Sequence, residues 1–269
     1  MSQIAVIMSV YKNDRLEYLK EALSSLYAQT RQADIFIQQD GEVSLEIEAF
    51  LDNALAEDKI VYLGKREKNI GLAGSLNDLL VVVLSKYQYI MRMDADDISI
   101  FNRVEEQFRF MEKYPKIDVV GSYIEEFSRE MVYVKLVKYP LTHIEMFDFF
   151  NKRVPLAHVS AFFRNSFFQK AGLYPTDSST NEDTLLWMNG FKSNCQFANI
   201  AVSLVDVRVG KAFFGRRGGY KKALSDLKDR IKVIRRLGYN FDAYVYAVGV
   251  LIVNISPGFI KKFLYKRLR

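Results

Sequence analysis

The chain has 269 residues, 49% of them hydrophobic, enough for one large α/β domain or a domain with an appendage. A single cysteine, Cys195, excludes an intrachain disulfide and reads as a small buried residue; with only two histidines besides, a structural zinc site is implausible. Residues 208–269 hold sixteen Lys/Arg against three Asp/Glu, and residues 1–207 twenty-two against twenty-nine, so an acidic body carries a basic tail suited to a polyanionic surface.

Met1-Ser2-Gln3-Ile4 has no basic segment ahead of an apolar stretch, so no signal peptide is expected and a cytoplasmic location follows. Ile4–Val10 is a short β-rich apolar run. Asn13 or Asp14 is placed to cap the next helix, with Glu17 in capping-box position and Leu16, Leu19, Leu23 and Leu26 on one face. Residues 34–40 read as a second strand ending in Asp40-Gly41, Leu45–Ala56 as a helix and residues 59–63 as a third strand. Residues 72–85 form a helix apolar on most sides, and residues 87–93 a fourth, buried strand.

This βαβαβαβ alternation implies a parallel sheet with helices on both faces and right-handed crossovers. Ligands in such sheets bind beyond the carboxyl ends of the strands. Val10-Tyr11, Asp40-Gly41 and Asp94-Ala95-Asp96-Asp97 should therefore line one crevice. Three carboxylates at a strand end repel one another, and a hard cation such as Mg²⁺ or Mn²⁺, shared with substrate phosphates, would relieve that. Alone, the tetrapeptide reads equally well as a polar loop of solvated acids.

After residue 97 the pattern changes. Residues 102–114 read as a helix, Val119–Phe127 and residues 132–139 as strands around Ser128-Arg129-Glu130, and residues 142–150 as a short helix. A strand at 159–164, a helix beginning at 182–189 and a last strand at 201–207 follow. Tyr220–Leu237 is a basic amphipathic helix with Leu224, Leu227, Ile231 and Ile234 on its apolar face. Residues 241–256 are almost wholly apolar but fall short of the roughly 20 residues that span a bilayer. Residues 258–269 set Ile260, Phe263 and Leu264 beside Lys261, Lys262, Lys266, Arg267 and Arg269, which fits a helix lying in a membrane interface, or one docked on the protein or a second subunit.

Six segments carry a family resemblance by their order and spacing: Met8-Ser9-Val10-Tyr11; Gln39-Asp40-Gly41; Asn69-Ile70-Gly71-Leu72-Ala73 with Asn77; residues 93–97; Asn102-Arg103 with Glu105 and Gln107; and Glu182-Asp183 with Trp187. From Ile4 to about Tyr220 the chain resembles the family 2 glycosyltransferases with the GT-A fold, especially bacterial enzymes that extend O-antigen or exopolysaccharide units on a lipid carrier. The resemblance implies an α/β, Rossmann-like, mostly parallel sheet with helices on both faces, followed by C-terminal amphipathic helices. It divides the chain into a nucleotide-sugar half (1–100), an acceptor-binding and catalytic half (101–219) and a helical tail (220–269).

It also implies roles. Asp40 would bond the uracil N3–H, with the backbone of Ser9, Val10 and Tyr11 lining the base pocket. Asp94 would contact the ribose or the metal, Asp96 would ligate the metal, and Asp97 would orient the loop or the sugar. Lys65, Arg66 and Asn77 would help hold the nucleotide, although they read also as a solvated turn and a helix-face amide. Asp183 would be the general base and Glu182 its neighbour. Arg208, Arg216 and Arg217 would grip a diphosphate or form a solvated basic loop. His158 would sit near the phosphates or in the core. Phe101 departs from the family, many of whose members have proline before Asn-Arg.

The expected activity is inverting, metal-dependent transfer from a UDP-sugar to a polyprenyl-diphosphate-linked saccharide. The enzyme would sit peripherally at the cytoplasmic face of the inner membrane and have no nucleic-acid partner. A nucleotidyltransferase is one alternative, but Tyr11-Lys12-Asn13-Asp14 lacks the glycines of its phosphate loop. A non-catalytic nucleic-acid- or membrane-binding protein is another, without a stacking-aromatic motif to support the first form.

Overall fold

The computed structural model describes residues 3–128, 132–177, 181–209 and 220–256. Its first part alternates as the hydrophobic pattern requires: β1 (Ile4–Val10), α1 (Leu16–Tyr27), β2 (Asp34–Gln39), α2 (Leu45–Ala56), β3 (Tyr62–Lys65), α3 (Leu72–Val83) and β4 (Tyr89–Met93). β1 runs parallel to β2 and β4, and β2 parallel to β3. Then come β5 (Ile98–Ser99), α4 (Arg103–Lys113), β6 (Val119–Phe127), β7 (Tyr133–Val137), α5 (His143–Phe150), a 3₁₀ turn (His158–Ser160), β8 (Phe162–Arg164), α6 (Ser166–Ala171), α7 (Glu182–Lys192), β9 (Phe197–Arg208), α8 (Tyr220–Leu237) and α9 (Phe241–Ile255). Among the described residues the strands form one sheet ordered β3-β2-β1-β4-β8-β6-β9-β5, with β7 on β6. The longest pairings are parallel, while β8 lies antiparallel to both β4 and β6.

Strand alternation divides the core into two layers. Ala5, Ile7, Phe36, Ile90 and Phe163 face α3, α5, α6 and α7, where Trp187 and Phe167 are wholly buried. Ile4, Val6, Met8, Met91 and Phe162 face α1, α2 and α4. Helices thus cover both faces, as expected of strands without a polar side.

Several boundaries differ from the sequence reading. Asp14 does not cap α1: its carboxylate accepts from Tyr11 N (2.8 Å), and Arg15 stands at the cap without a side-chain bond. β3 begins at Tyr62 because Lys59 and Ile60 N–H groups close α2 by donating to Ala54 O. The expected strand at 159–164 splits, since residues 158–160 coil into the 3₁₀ turn. β9 starts at Phe197, earlier than expected, and α6 and the two-residue β5 were not expected.

The helix at Tyr220–Leu237 is docked: Val233 reaches the core, Arg230 donates to Phe150 O (2.7 Å), and Ile234 packs with Ala243 and Ala247 of α9. Among the described residues no helix is long and apolar enough to cross a membrane. Residues 129–130, Arg216, Arg217 and the basic segment 258–269 lie outside the described residues.

Candidate active site

The carboxyl ends of β1, β2 and β4 open into a cavity of about 410 Å³. Ser9 and Tyr11 come from the first strand end, Asp40 from the second and Asp94–Asp97 from the fourth, with Asn69, Gly71, Arg92 and Arg208 completing the lining. Parallel strands aim these ends the same way, so three segments distant in sequence converge.

Asp40 is 2% exposed. Its carboxylate accepts from Ile70 N and Gly71 N (both 2.9 Å), and its carbonyl accepts from the Asn69 amide (3.0 Å). Gly71 presents its N–H at φ 93°, and Gly41 at φ 84° lies so near Asn69 that a Cβ would meet Asn69 N at 2.7 Å. Both glycines are therefore required by shape. The Arg66 guanidinium also approaches Asp40 Oδ1 (3.6 Å). Asn69 and Gly71 received no role from the sequence, although the Asn-x-Gly spacing after Asp-Gly was its signal.

Asp94, Asp96 and Asp97 present carboxylate oxygens within 4.8 Å of one another, an arrangement able to hold a metal ion. Asp97 is buried, and burial, then the charges of Asp94 and Asp96, push its carboxyl well above the usual range. Its Oδ1 accepts from Arg208 N (2.8 Å). A divalent cation would remove the like-charge cost, and an all-oxygen donor set suits Mg²⁺ or Mn²⁺.

Arg92 is the residue the sequence reading passed over. It is 3% exposed at the end of β4, on the face turned toward α3 and α7, and its guanidinium forks onto both oxygens of Asp94. Burial pulls its pKa down, but Asp94 and Tyr174 outweigh that and hold the cation above its ordinary value. The signal was a lone arginine in the apolar run Tyr89-Ile90-Met91-Arg92-Met93.

Glu182 and Asp183 begin α7, behind which Trp187 is sealed. Both are partly buried. Burial, then the Asp183 charge, raises Glu182 to about 6. Burial raises Asp183 also, opposed by the Thr184 N–H, which donates to its Oδ1 at 2.6 Å. The charge of Arg92 lowers both carboxyl groups somewhat, against the burial that raises them.

The remaining candidates divide. Val10 is fully buried, and its carbonyl accepts from Asp40 N (2.8 Å). Arg208 lines the cavity but is clamped: its guanidinium donates to Asp96 O (3.0 Å) and Glu21 and lies between the rings of Tyr18 and Phe127. Lys65 lies outside the cavity lining, paired with Glu48 and Asp52. Asn77 is likewise outside, its amide exchanging two 2.8 Å bonds with the Tyr174 backbone. His158 is core-like, its Nε2 hydrogen-bonded to the Tyr174 hydroxyl (2.9 Å) and its pKa pushed down by burial and then Arg92. Arg103 and Gln107 are braces: Arg103 donates to Arg92 O and Val159 O, and Gln107 to Ser160 O.

A GT-A fold with strand-end carboxylates, a capped Asp-Gly and an acidic helix start defines a class of sugar-transferring enzymes. The chain belongs to glycosyltransferase family 2, whose model matches residues 5–172. It is similar to the UDP-Gal:alpha-D-GlcNAc-diphosphoundecaprenol beta-1,3-galactosyltransferase of Escherichia coli, 28% identical over 99% of this chain and 96% of that protein. It is also similar to the amylovoran biosynthesis glycosyltransferase AmsE of Erwinia amylovora, 28% identical over 98% of each. Among solved structures, GalNAc-T7 with UDP, GalNAc and Mn²⁺ shares the fold at a TM-score of 0.65 and 14% identity, over 86% of this chain and 47% of that one.

Proposed function

We propose that this glycosyltransferase moves a sugar, with inversion, from a UDP-sugar to a saccharide on a lipid-diphosphate carrier at a membrane surface. The observation that carries the reading is the convergence of Asp40, the Asp94–Asp97 carboxylates and Arg92 in one cavity, with Glu182 and Asp183 feeling the charge of Arg92 from the start of α7. Asp40, held by the 69–71 loop, offers an acceptor to the uracil N3–H. Asp94, Asp96 and Asp97 would hold Mn²⁺ or Mg²⁺, which when bound supplies charge stabilisation at the departing diphosphate. Asp183 removes the acceptor hydroxyl proton as that oxygen attacks the anomeric carbon, and the α-linked donor becomes a β-linked product. Glu182 keeps a second negative charge beside the base, while Arg92 fixes Asp94.

The test is to incubate the full chain with Mn²⁺, a panel of UDP- and GDP-sugars and a synthetic GlcNAc-diphosphate lipid, follow nucleotide release and read the product linkage by NMR. UDP release that depends on acceptor, with a β-linkage, is expected. An α-linked product or a preference for GDP donors would overturn the assignment.

Replacing Asp40 by Ala removes the acceptor for two loop N–H groups as well as the base contact. Orphaning buried donors costs about 1–3 kcal/mol, so the KM for a UDP donor should rise roughly tenfold with discrimination among bases relaxed. An unchanged KM and unchanged base preference would remove Asp40 from the donor site.

The membrane reading rests on α9. Phe241, Val245, Val248, Ile252 and Ile255 recur at helical spacing and are all exposed, while Ala243 and Ala247 pack on α8. The lipid carrier named for the Escherichia coli relative makes a membrane the fitting occupant of that stripe. A Val248→Asp/Ile252→Asp variant should lose co-sedimentation with anionic vesicles while keeping UDP affinity. Equal sedimentation of the two forms would make the stripe a packing or dimer surface.

A further inference from the structure

Spacing alone presents Arg208 as a grip for a diphosphate. We infer that it is instead a positioning residue, and that together with Tyr18 and Glu21 of α1 it sets the affinity of the Asp-rich loop for its metal ion; the inference rests on the metal reading above.

Arg208 ends β9 and is 9% exposed. It meets two consecutive residues of the loop in two different ways. Its backbone N–H donates to Asp97 Oδ1 (2.8 Å), and its Nε–H donates to Asp96 O (3.0 Å). The rest of the guanidinium is held from outside the loop. It donates to Glu21 Oε2, and its carbon lies 4.0 Å from the Tyr18 ring centre and 4.6 Å from that of Phe127. A planar cation packed on aromatic rings keeps its orientation, and the charge-assisted bond to Glu21 fixes the end of its fork. Two of the three carboxylate-bearing residues are thus oriented by Arg208, Asp97 through its own oxygen and Asp96 through its peptide.

The support is one face of α1. Tyr18, Glu21 and Ser25 recur at three- and four-residue spacing, beside the apolar stripe of Leu19, Leu23 and Leu26. Ser25 Oγ accepts from Ser99 N (3.0 Å), and the Gln29 amide, just past the helix, donates to Ile100 O (2.8 Å). One helix therefore holds the loop at 96–97 through Arg208 and again at 99–100 directly. Neither Tyr18 nor Glu21 lines the strand-end cavity, and Glu21 is exposed, so both act on the metal site only through Arg208. The three carboxylates present oxygens within 4.8 Å of one another although like charges repel, so a loop released from this clamp would spread them apart. The clamp keeps the donor set gathered before an ion arrives.

The experiment measures Mn²⁺ uptake by electron paramagnetic resonance, with excess UDP, in the full chain and in Arg208→Lys and Glu21→Ala. Lysine keeps the charge but has no planar fork to reach Asp96 O and Glu21 together. Glu21→Ala changes an exposed side chain outside the cavity, and melting curves report that each variant folds. Arg208→Lys should weaken Mn²⁺ by about 10- to 100-fold, the usual cost of removing a group that orients metal ligands. Glu21→Ala should weaken it in the same direction by a smaller factor. Once Mn²⁺ saturates, the UDP Kd should return to the wild-type value, because mass action on the ion compensates a lost positioning group. If both folded variants bind Mn²⁺ as the wild type does, the inference falls and the metal reading stands. If Arg208→Lys weakens UDP at saturating Mn²⁺ while Glu21→Ala, by freeing the guanidinium, tightens it, Arg208 grips the diphosphate and the inference is overturned. A wild type that takes up no Mn²⁺ would overturn the metal reading itself and this inference with it.

Discussion

Asp183→Asn is expected to lower kcat by about 10²- to 10⁴-fold, the usual contribution of a positioned general base. The amide keeps the size of the side chain and can still accept from Thr184 N, but it cannot take a proton. Donor KM should change little, because Asp183 lies outside the lining of the strand-end cavity. The pH profile provides a second reading. Glu182 titrates near 6, and Asp183 is raised by burial. A base works as its anion, and burial raises Asp183 above the ordinary carboxylate range, so kcat should begin to fall at a higher pH than an exposed aspartate would give. The sign for stability is opposite. Raised carboxyl pKa values mean the folded chain binds these protons more tightly than the unfolded chain, so this stabilising contribution is full at low pH and is lost as pH rises through about 6. Near-wild-type kcat in Asp183→Asn would remove the residue from the base role, and a large rise in donor KM would move it to the nucleotide cavity.

Asp96→Ala is expected to reduce turnover by about 10³-fold or more, since charge stabilisation of a leaving diphosphate is worth several kcal/mol and each 1.36 kcal/mol is tenfold. Asp97 is a poorer test: it is buried and holds Arg208 N, so its removal would mix metal loss with loop collapse. The measurement pairs nucleotide release across a Mn²⁺ titration with electron paramagnetic resonance of Mn²⁺ bound in the presence of UDP. The variant should lose both signals, and excess EDTA should silence the wild type. Full turnover in EDTA would overturn the metal assignment.

The parallel half was legible because β1, β2 and β4 are short runs buried on both faces and alternate with the longer apolar segments α1, α2 and α3. β5 was not, because two residues carry no period. β9 was only half visible: its middle, Ile200 to Ser203, faces partly outward and interrupts the apolar pattern. The strand-end carboxylates and Asp40 could be read because strand polarity fixes where such ends go. Arg92 could not, because an arginine inside an apolar strand gives no sign of which face it occupies; the Asp94 partner two residues on is what the fold adds. Lys65 illustrates what spacing cannot show. It ends β3 among motif residues, yet it pairs with Glu48 and Asp52 of α2, and helix positions relative to a strand end are set by packing rather than by spacing. Asn181 carried no signal of its own, because its bonds to Asp226 and Asp229 depend on where α8 packs.

The placement of β4 bears on how this protein could be dissected. Its two neighbours are β1, from the beginning of the chain, and β8, from beyond residue 160. The Asp-rich loop that follows it is likewise tied at β5 to the far end of β9. A fragment ending near residue 100 would leave the buried strand β4 as a bare edge, a template for pairing with other chains. The first hundred residues are therefore not an autonomous folding unit. Truncation there should give aggregate, whereas a cut after β9 leaves every described strand with its partners.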